Sequence, residues 1–275
     1  MSKMTDQKYL VTQQYKNARN LNARENLHAR FSTNPRNWFD WVFDHLDLSA
    51  TADILEIGCG NGDLWAHIRD RIPPGWSLVL GDLSQGMLQE AKKNLSFLGG
   101  RAKFQTLDAQ LLMFDGETFD AVIANHMLYH VPNISRALLE ASRVLKVGGK
   151  LFAATNGQGH MQEIHQLAIG FVPLKQQLIE NNLLRNDQFS FSLETGEELL
   201  RQQFTQVKCF LYPDSLAVTQ IDPLVDYLAS ISPEISELLS PKLSDSFRQY
   251  LEEQLEKQGG VIKITKSTGM FVAYK

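Results

Sequence analysis

Short apolar runs alternate with longer, mixed stretches from residue 53 onward. Within the longer stretches the apolar residues recur every three or four positions, as on one face of a helix. Alternation of strands and helices is typical of a parallel sheet with right-handed crossovers. We therefore expect an α/β fold with a doubly wound core over residues 51–155. The pattern predicts strands over 53–57, 77–81, 102–107, 119–124 and 150–155 and helices over 62–71, 85–98 and 135–145.

Residues 1–50 precede this core and carry a mainly polar pattern that is compatible with helix over 6–31. A clearer helix start follows, because Asn34 is a good N-cap and Pro35 suits the first helical position. We expect that second helix to span about 35–46. The segment is locally positive and contains several aromatic residues, so we interpret it as a separate helical prefix.

The chain after the fifth predicted strand contains two insertions of mainly helical pattern. The first covers 156–206, and the second, 220–260, is amphipathic and acidic. The β-like runs at 207–219 and at the C-terminus are expected to pair as a hairpin within a region that spans 207–275. Three roles stay open for the second insertion: it forms a homodimer contact, caps a pocket or packs on the sheet edge.

The composition of the 275-residue chain is that of a folded globular protein, with 43% hydrophobic and 21% charged residues. A net charge of −4 argues against nucleic acid as the main partner, since a phosphate backbone requires a basic surface. Cys59 and Cys209 fit no disulfide or zinc pattern, and no cluster of ligand residues predicts a metal. We find no apolar stretch of membrane-spanning length and no signal-peptide core, so we expect a cytoplasmic protein.

The stretch "ILEIGCGNGDLW" at 54–65 places three glycines at the turn from the first predicted strand into the first helix. Backbone N–H groups and the positive end of a helix meet a ligand at such a turn. The spacing G-x-G-x-G, with Glu56 two residues ahead, differs from the G-x-G-x-x-G of dinucleotide sites. A nicotinamide-dependent oxidoreductase is therefore disfavoured.

Two acidic residues stand at the ends of the next two predicted strands. Asp82 lies twenty residues beyond Gly62, where a carboxylate can accept hydrogen bonds from both hydroxyls of a ribose. Asp108 follows the third strand and can accept a hydrogen bond from an adenine amine, with the Ala109 N–H as a donor to the ring. A ribose and an adenine without a pyrophosphate suggest S-adenosylmethionine.

Five motifs occur in the order seen in class I S-adenosylmethionine-dependent methyltransferases: "LEIGCGNGDL", "LGDLSQGML", "TLDAQLLMF", "FDAVIANHMLYHV" and "ASRVLKVGGKLF". The chain resembles this family over residues 53–155, and within it the small-molecule group that includes the ubiquinone/menaquinone C-methyltransferases. The resemblance implies a Rossmann-like seven-stranded sheet with an antiparallel last strand. It also implies that Gly58 and Gly60 wrap the methionine part of the cofactor, that Asp82 holds the ribose and that Asp108 contacts adenine.

The expected cofactor site extends beyond these four residues. Met87 packs on the cofactor or fills the core. The N-terminal segment is hypothesised to be a lid, in which Tyr15 packs near the methyl group and Arg30 meets a carboxylate; a helix that only covers the sheet is the alternative. The full expected set is Glu56, Gly58, Gly60, Asp82, Leu83, Met87, Asp108, Ala109, Asn125, Tyr15 and Arg30.

The loop after the fourth predicted strand supplies the catalytic candidates His126, Tyr129 and His130. Methyl transfer is an in-line displacement, so a base is needed only when the acceptor carries a proton. His126 is the candidate base, with a neutral histidine that only hydrogen-bonds or packs as the alternative. We expect methyl transfer to a small-molecule acceptor, under a lobe that the helical insertions form over the active site. The rival is a protein that binds S-adenosylmethionine without turnover.

Overall fold

The computed structural model describes residues 3–180, 189–239 and 241–275. Seven strands form one sheet, and two short strands form a second. In chain order the strands are β1 (Asp53–Ile57), β2 (Ser77–Asp82), β3 (Ala102–Thr106), β4 (Phe119–Asn125), β5 (Leu145–Asn156), β6 (Gln206–Leu211), β7 (Asp214–Val218), β8 (Ile262–Lys266) and β9 (Thr268–Tyr274).

The large sheet has the order β3-β2-β1-β4-β5-β9-β6, and β7 pairs with β8. Strands β1 to β5 pair in parallel, whereas β9 runs antiparallel to both of its neighbours, β5 and β6. The sequence-based prediction of a doubly wound sheet of seven strands with an antiparallel last strand is confirmed.

Helices cover both faces of the sheet and build the region above its edge. They are α1 (Gln7–Tyr9), α2 (Arg19–Phe31), α3 (Trp38–Asp44), α4 (Asp63–His67), α5 (Gln85–Asn94), α6 (Ile134–Val144), α7 (Gln162–Gly170), α8 (Val172–Glu180), α9 (Gly196–Leu200), α10 (Asp222–Ile231), α11 (Pro233–Leu238) and α12 (Pro241–Lys257). A π-helical turn, Leu10–Gln14, follows α1, and short 3₁₀ turns follow α4 and α5.

Alternate residues of the central strands enter different cores, because successive side chains of a strand point to opposite faces. Leu55 and Leu151 belong to the core that includes residues of α6 and α9. Ile54 and Phe152 belong to the core that includes residues of α3, α4 and α5. A sheet buried on both faces favours apolar runs in its strands, such as residues 121–124 of β4, which are buried at every position.

A third core lies in the lobe formed by α2, α7, α8, α10 to α12 and the β7-β8 pair. Helix α10 packs against α2, so the second insertion joins the N-terminal segment. Helices α7 and α8 of the first insertion and the helices of the second insertion thus form the expected lobe, whereas α9 packs into the core beneath the sheet. Residues 181–188 of the first insertion lie outside the described residues.

Several predicted boundaries are wrong. Helix α3 begins at Trp38 with Asn37 as its N-cap, because the Oδ1 atom of Asn34 instead accepts the Arg36 N–H at 2.8 Å. The helix expected over 6–31 is interrupted between the π-helical turn and α2. The helices expected over 62–71 and 85–98 end at His67 and Asn94, and β5 begins at residue 145 instead of 150.

The expected C-terminal hairpin is present but divided between two sheets. Strands β6 and β9 pair in the large sheet, and their continuations β7 and β8 pair in the lobe. Tyr212 and Pro213 separate β6 from β7, and Ser267 separates β8 from β9. The excursion through α10, α11 and α12 joins β7 to β8.

We predict that Phe152→Ala destabilises the protein by about 3–5 kcal/mol, because the ring is fully buried and its loss leaves a cavity. Val147→Ala is the matched control on the same strand, where the side chain is 79% exposed. Urea unfolding followed by circular dichroism measures both changes in the free energy of unfolding. A loss below about 1 kcal/mol for Phe152→Ala would contradict the packing described here.

Candidate active site

A cavity of about 1660 Å³ lies at the carboxyl ends of the parallel strands. Residues that follow β1, β2 and β4 line its floor, and the N-terminal segment and the lobe form its walls. Typical pockets for one small molecule measure roughly 300–1,000 Å³. The volume is therefore sufficient for a cofactor together with a second molecule.

The three glycines after β1 adopt left-handed backbone conformations, with φ angles of 71°, 57° and 86° at Gly58, Gly60 and Gly62. A Cβ atom on Gly58 would lie 2.7 Å from Cβ of Met127, so close packing also excludes a side chain there. At Gly60 the nearest atom, Cδ2 of Leu21, would be 3.6 Å away. A Cβ atom at Gly60 would thus make only ordinary van der Waals contacts, so the left-handed backbone, and not close packing, is what favours glycine there.

Asp82 connects this glycine loop to the end of β2. Its Oδ2 atom accepts the Gly60 N–H at 2.9 Å, and its Oδ1 atom accepts the Ser84 N–H at 2.8 Å. Burial raises the pKa of Asp82, and the backbone hydrogen bonds oppose that increase. The carboxylate is held rigidly by main-chain donors and still faces the cavity.

Glu56, at the end of β1, is buried beneath the same loop. Its Oε2 atom accepts the indole N–H of Trp65 at 2.5 Å. Burial raises the pKa of Glu56 to about 7, the Trp65 hydrogen bond lowers it, and the nearby negative charge of Asp82 raises it. This carboxyl group therefore changes its charge near neutral pH.

Asp108 lies after β3, where the N-terminal segment meets the cavity. Its Oδ2 atom accepts an N–H of the Gln7 side chain at 2.8 Å, and its Oδ1 atom accepts the Gln110 N–H at 2.9 Å. Burial raises the pKa of Asp108, but these hydrogen bonds outweigh burial and lower it. The NH₂ group of Gln7 is the same kind of donor as the exocyclic amine of adenine.

The two histidines of the loop after β4 differ in their surroundings. His126 has a φ angle of 55°, which is strained for a residue other than glycine, and its ring packs on Trp38 with the centroids 5.1 Å apart. Burial, and then the positive charge of Lys266, lower the pKa of His126 to about 4. The imidazole is therefore neutral at pH 7 and faces the cavity.

His130 holds the N-terminal segment in place. Its Nδ1 atom lies 2.9 Å from the carbonyl oxygen of Met4, and its Nε2 atom lies 2.9 Å from the hydroxyl of Tyr15. A carbonyl only accepts, so neutral His130 donates from Nδ1 and accepts the Tyr15 proton at Nε2. Burial lowers the pKa of His130 to about 4, which maintains that arrangement.

Arg30 is not part of the cavity, so the prediction that it meets a carboxylate there is wrong. Its guanidinium is exposed and donates to the side-chain oxygen of Gln220. The cavity face of α2 instead carries Leu21, Arg24 and His28, at helical spacing. That spacing was the signal in the sequence that placed Arg24, and not Arg30, on the same face as His28.

The other predicted residues all line the cavity, and their roles in binding or catalysis stay predictions. Tyr129 packs edge-on against His130 and Phe189, and burial raises the pKa of its hydroxyl above the ordinary range. The predicted residues that line the cavity are Tyr15, Glu56, Gly58, Gly60, Asp82, Leu83, Met87, Asp108, Ala109, Asn125, His126, Tyr129 and His130.

Sequence reasoning missed the residues that the lobe adds to the cavity. His28 and His160 face each other with ring centroids 6.1 Å apart. Near them, Nζ of Lys266 lies 2.5 Å from Oδ2 of Asp214, and both side chains are almost fully buried. Burial lowers the pKa of Lys266, while its pairing with Asp214 raises it. These residues come from distant segments, so no local pattern joins them.

Two features are absent from the described residues. In the part of the chain that the structure describes, no group of three or more His, Cys, Asp or Glu side chains is arranged to hold a metal ion. Across the same ranges, no helix combines the length and the apolar character required to span a bilayer.

The comparisons with known proteins agree with this geometry. Residues 54–149 match the family described as "Methyltransferase domain". The ubiquinone/menaquinone biosynthesis C-methyltransferase UbiE of Desulfotalea psychrophila is 35% identical over 113 residues, which are 41% of this chain and 45% of that protein. The matched region thus spans about half the length of such curated relatives.

Two solved structures share the fold. The phosphoethanolamine N-methyltransferase 2 of Haemonchus contortus, in complex with S-adenosyl-L-methionine, has a TM-score of 0.59 and 18% identity, and the match covers all of this chain and 60% of that one. The YcgJ protein of Bacillus subtilis has a TM-score of 0.55 and 15% identity, covering 86% of this chain and 97% of that one.

The fold and the matched motifs together define the class. Residues 54–149 match the methyltransferase-domain family, and the seven-stranded sheet that contains them has the fold of solved methyltransferases. The matching stretch is similar to that of the ubiquinone/menaquinone C-methyltransferases. Residues outside 54–149, which form the lobe and the N-terminal segment, lie beyond the matched domain.

We predict that Glu56 makes the stability of the protein depend on pH. Its folded pKa of about 7 exceeds the ordinary value of 4.5, so the folded state binds the extra proton between those pH values. The contribution of that proton is fully present below pH 4.5 and is lost as the pH rises through 7, which lowers the free energy of unfolding by up to about 3 kcal/mol.

Glu56→Gln removes this proton equilibrium and keeps an acceptor for the Trp65 N–H. Its free energy of unfolding should therefore decline less than that of the wild type between pH 4.5 and pH 8, measured by urea unfolding. Glu253→Gln, at an exposed position of α12, is the matched control. Parallel pH profiles for the wild type and Glu56→Gln would disprove the assignment.

Proposed function

We propose that the protein transfers the methyl group of S-adenosylmethionine to a small-molecule acceptor held in the same cavity. The observation that carries the proposal is the rigid pairing of Asp82 with the Gly60 N–H, beside a backbone without a side chain. This arrangement offers a fixed carboxylate for ribose hydroxyls next to open main chain for an amino-acid tail.

The residues around this pair fit the cofactor. Each Asp82 oxygen accepts one backbone N–H and retains a lone pair for a ribose hydroxyl. Asp108 already accepts from an amide NH₂ group, which adenine can replace. The Oδ1 atom of Asn125 is buried and has no hydrogen-bond partner among the described residues, so it is available as an acceptor for the ligand.

The chain's own residues would act mainly by alignment and by exclusion of water. When bound, the cofactor supplies a methyl group on a positively charged sulfur; the bond to sulfur breaks as the bond to the acceptor forms. Acidic residues of the cavity, including Glu56 and Asp82, favour a cationic ligand. Neutral His126 can take up a proton from an acceptor that carries one, at a ring nitrogen.

We do not assign to this chain the methyl acceptor for which the relatives are named. The curated relatives are named for ubiquinone and menaquinone biosynthesis, but the similarity lies within about half of their length. The lobe and the N-terminal segment, which wall the acceptor side of this cavity, lie outside residues 54–149. We therefore propose only the class of acceptor, a small molecule. We also propose a cytoplasmic location, which the absence of a disulfide pattern at Cys59 and Cys209 supports.

We predict that Asp82→Ala weakens the binding of S-adenosylmethionine by at least about tenfold, because charge-assisted hydrogen bonds to the ribose are lost and the Gly60 N–H loses its partner. Isothermal titration calorimetry measures the affinity. Asp70→Ala, at an exposed position outside the cavity, is the matched control. Unchanged affinity in Asp82→Ala would refute the proposed role of this carboxylate.

Formation of S-adenosylhomocysteine distinguishes an enzyme from a protein that binds S-adenosylmethionine without methyl transfer. Wild-type protein is incubated with S-adenosylmethionine and the small-molecule fraction of a cell extract, and S-adenosylhomocysteine is measured by mass spectrometry. We expect its formation with the wild type and little with Asp82→Ala. Binding without S-adenosylhomocysteine would favour the silent protein. Titration with NADH, for which no binding is expected, tests the oxidoreductase rival.

We predict that S-adenosylmethionine slows amide hydrogen exchange in the N-terminal segment over residues 10–31. The segment is attached across the cavity through Tyr15, whose hydroxyl contacts His130 and whose carbonyl accepts from the Ser84 hydroxyl at 2.8 Å. A ligand beneath the segment adds contacts that oppose its opening. Helix α12 serves as the internal reference, and equal exchange with and without ligand would exclude a lid.

A further inference from the structure

Arg24 lies on the cavity face of α2 with an incomplete set of hydrogen bonds. Its Nε–H donates to the backbone oxygen of Asn20 at 3.2 Å. Its Nη2 atom is buried and has no hydrogen-bond partner among the described residues. A buried donor without a partner costs free energy, and more so on a charged group. Such a cost is typical of a group that meets its partner only when a ligand binds.

No carboxylate neutralises the Arg24 guanidinium. Within the described ranges, Arg24 forms no ion pair at 4.0 Å or less. The adjacent Glu25 is hydrogen-bonded to Asp63, and burial together with that neighbour raises the pKa of Glu25 well above its usual range. Glu25 is therefore protonated at neutral pH. The Arg24 guanidinium, which stays protonated in proteins, therefore has no carboxylate partner within the described ranges and packs over the Tyr15 ring, with Cζ 5.5 Å from the ring centroid.

His28 follows one turn later on the same face of α2 and, like Arg24, has a buried nitrogen atom without a hydrogen-bond partner within the described ranges. Its Nδ1 atom is buried without a hydrogen-bond partner in the part of the chain that the structure describes. Burial, and then the positive charge of Lys266, lower the pKa of His28 to about 3, so its ring is neutral. Arg24 and His28 thus each carry one buried polar atom without a hydrogen-bond partner among the described residues, and both residues line the same cavity.

We propose that the methyl acceptor carries an anionic group, a carboxylate or a phosphate, that binds to Arg24, with His28 hydrogen-bonded to the acceptor beside it. This inference rests on the proposed methyl transfer. It narrows the acceptor from any small molecule to an anionic one. An anion supplies both the charge and the acceptor oxygens that the guanidinium lacks.

Two molecules in the cavity would carry an anionic group that Arg24 can bind: the methyl acceptor, and the cofactor through the carboxylate of its amino-acid tail. The position of Arg24 favours binding to the acceptor. The residue of α2 that approaches Gly60, where we place the cofactor's amino-acid tail, is Leu21 and not Arg24. The rings beside His28 are His160 and Tyr227, both from insertions beyond the matched domain. Arg24 and His28 thus face the part of the cavity that the lobe encloses.

The test uses Arg24→Gln, with Arg30→Gln as the matched control on the exposed face of the same helix. S-Adenosylhomocysteine is titrated first, by calorimetry. Inorganic phosphate and benzoate are then titrated into the ligand-free protein and into its S-adenosylhomocysteine complex, followed by tryptophan fluorescence, since Trp38 lines the cavity. Thermal unfolding of each ligand-free variant shows whether Arg24 is needed for folding.

We expect wild-type protein and Arg30→Gln to bind at least one of the two anions in the complex, and Arg24→Gln to bind it at least about tenfold more weakly. Affinity of Arg24→Gln for S-adenosylhomocysteine should stay within about threefold of the wild type, and its melting temperature should not fall, because a buried charge without a carboxylate partner among the described residues has been removed.

Two results would overturn the inference. One is a loss of S-adenosylhomocysteine affinity of about tenfold or more in Arg24→Gln, which would assign the charge to the cofactor carboxylate. The other is equal anion binding, or none, in the wild type and Arg24→Gln. Failure of the wild type to bind S-adenosylhomocysteine would instead refute the proposed function, while Arg24-dependent anion binding by the ligand-free protein would still support the anion site.

Discussion

The hydrogen bond from the Gly60 N–H to the Asp82 carboxylate is the constraint on which the site depends. It joins the ends of two neighbouring parallel strands, and it requires a backbone conformation that glycine adopts without strain. The parallel sheet brings these strand ends to one edge, and the cores on both faces hold the strands in register. The carboxylate is thereby positioned before any ligand arrives, which reduces the entropy lost on binding.

The part of the N-terminal segment that precedes α2 completes the site mainly with polar contacts, whereas α2 itself packs into the apolar core of the lobe. Gln7 donates to Asp108, Tyr15 contacts His130 and Ser84, and the Ala18 N–H donates to Glu90 at 3.2 Å. Each contact is modest in free energy, because such groups can exchange partners with water. A covering held in this way can open without unfolding the sheet beneath it.

The sheet and the cofactor residues were predictable because their signals are local. The strand positions follow from alternating apolar runs, the seven-stranded sheet was implied by the family resemblance, and Gly60 and Asp82 are recognised by their positions after β1 and β2. The acceptor side was not predictable, because His28, His160 and Lys266 come from α2, the start of the first insertion and β8. The prediction for Arg30 failed for a related reason: spacing shows that Leu21, Arg24 and His28 share one face of α2, but the packing of α2 against α10 decides which face meets the cavity.

The divided C-terminal hairpin has a mechanical consequence. One continuous ribbon begins in the central sheet as β6 and β9 and ends in the lobe as β7 and β8. Lys266 and Thr268, on either side of its bend, both face the cavity. The lobe therefore cannot swing away as an independent body, because that motion would unzip hydrogen bonds in two sheets. The cavity is therefore bounded on the lobe side by a wall that is continuous with the central sheet.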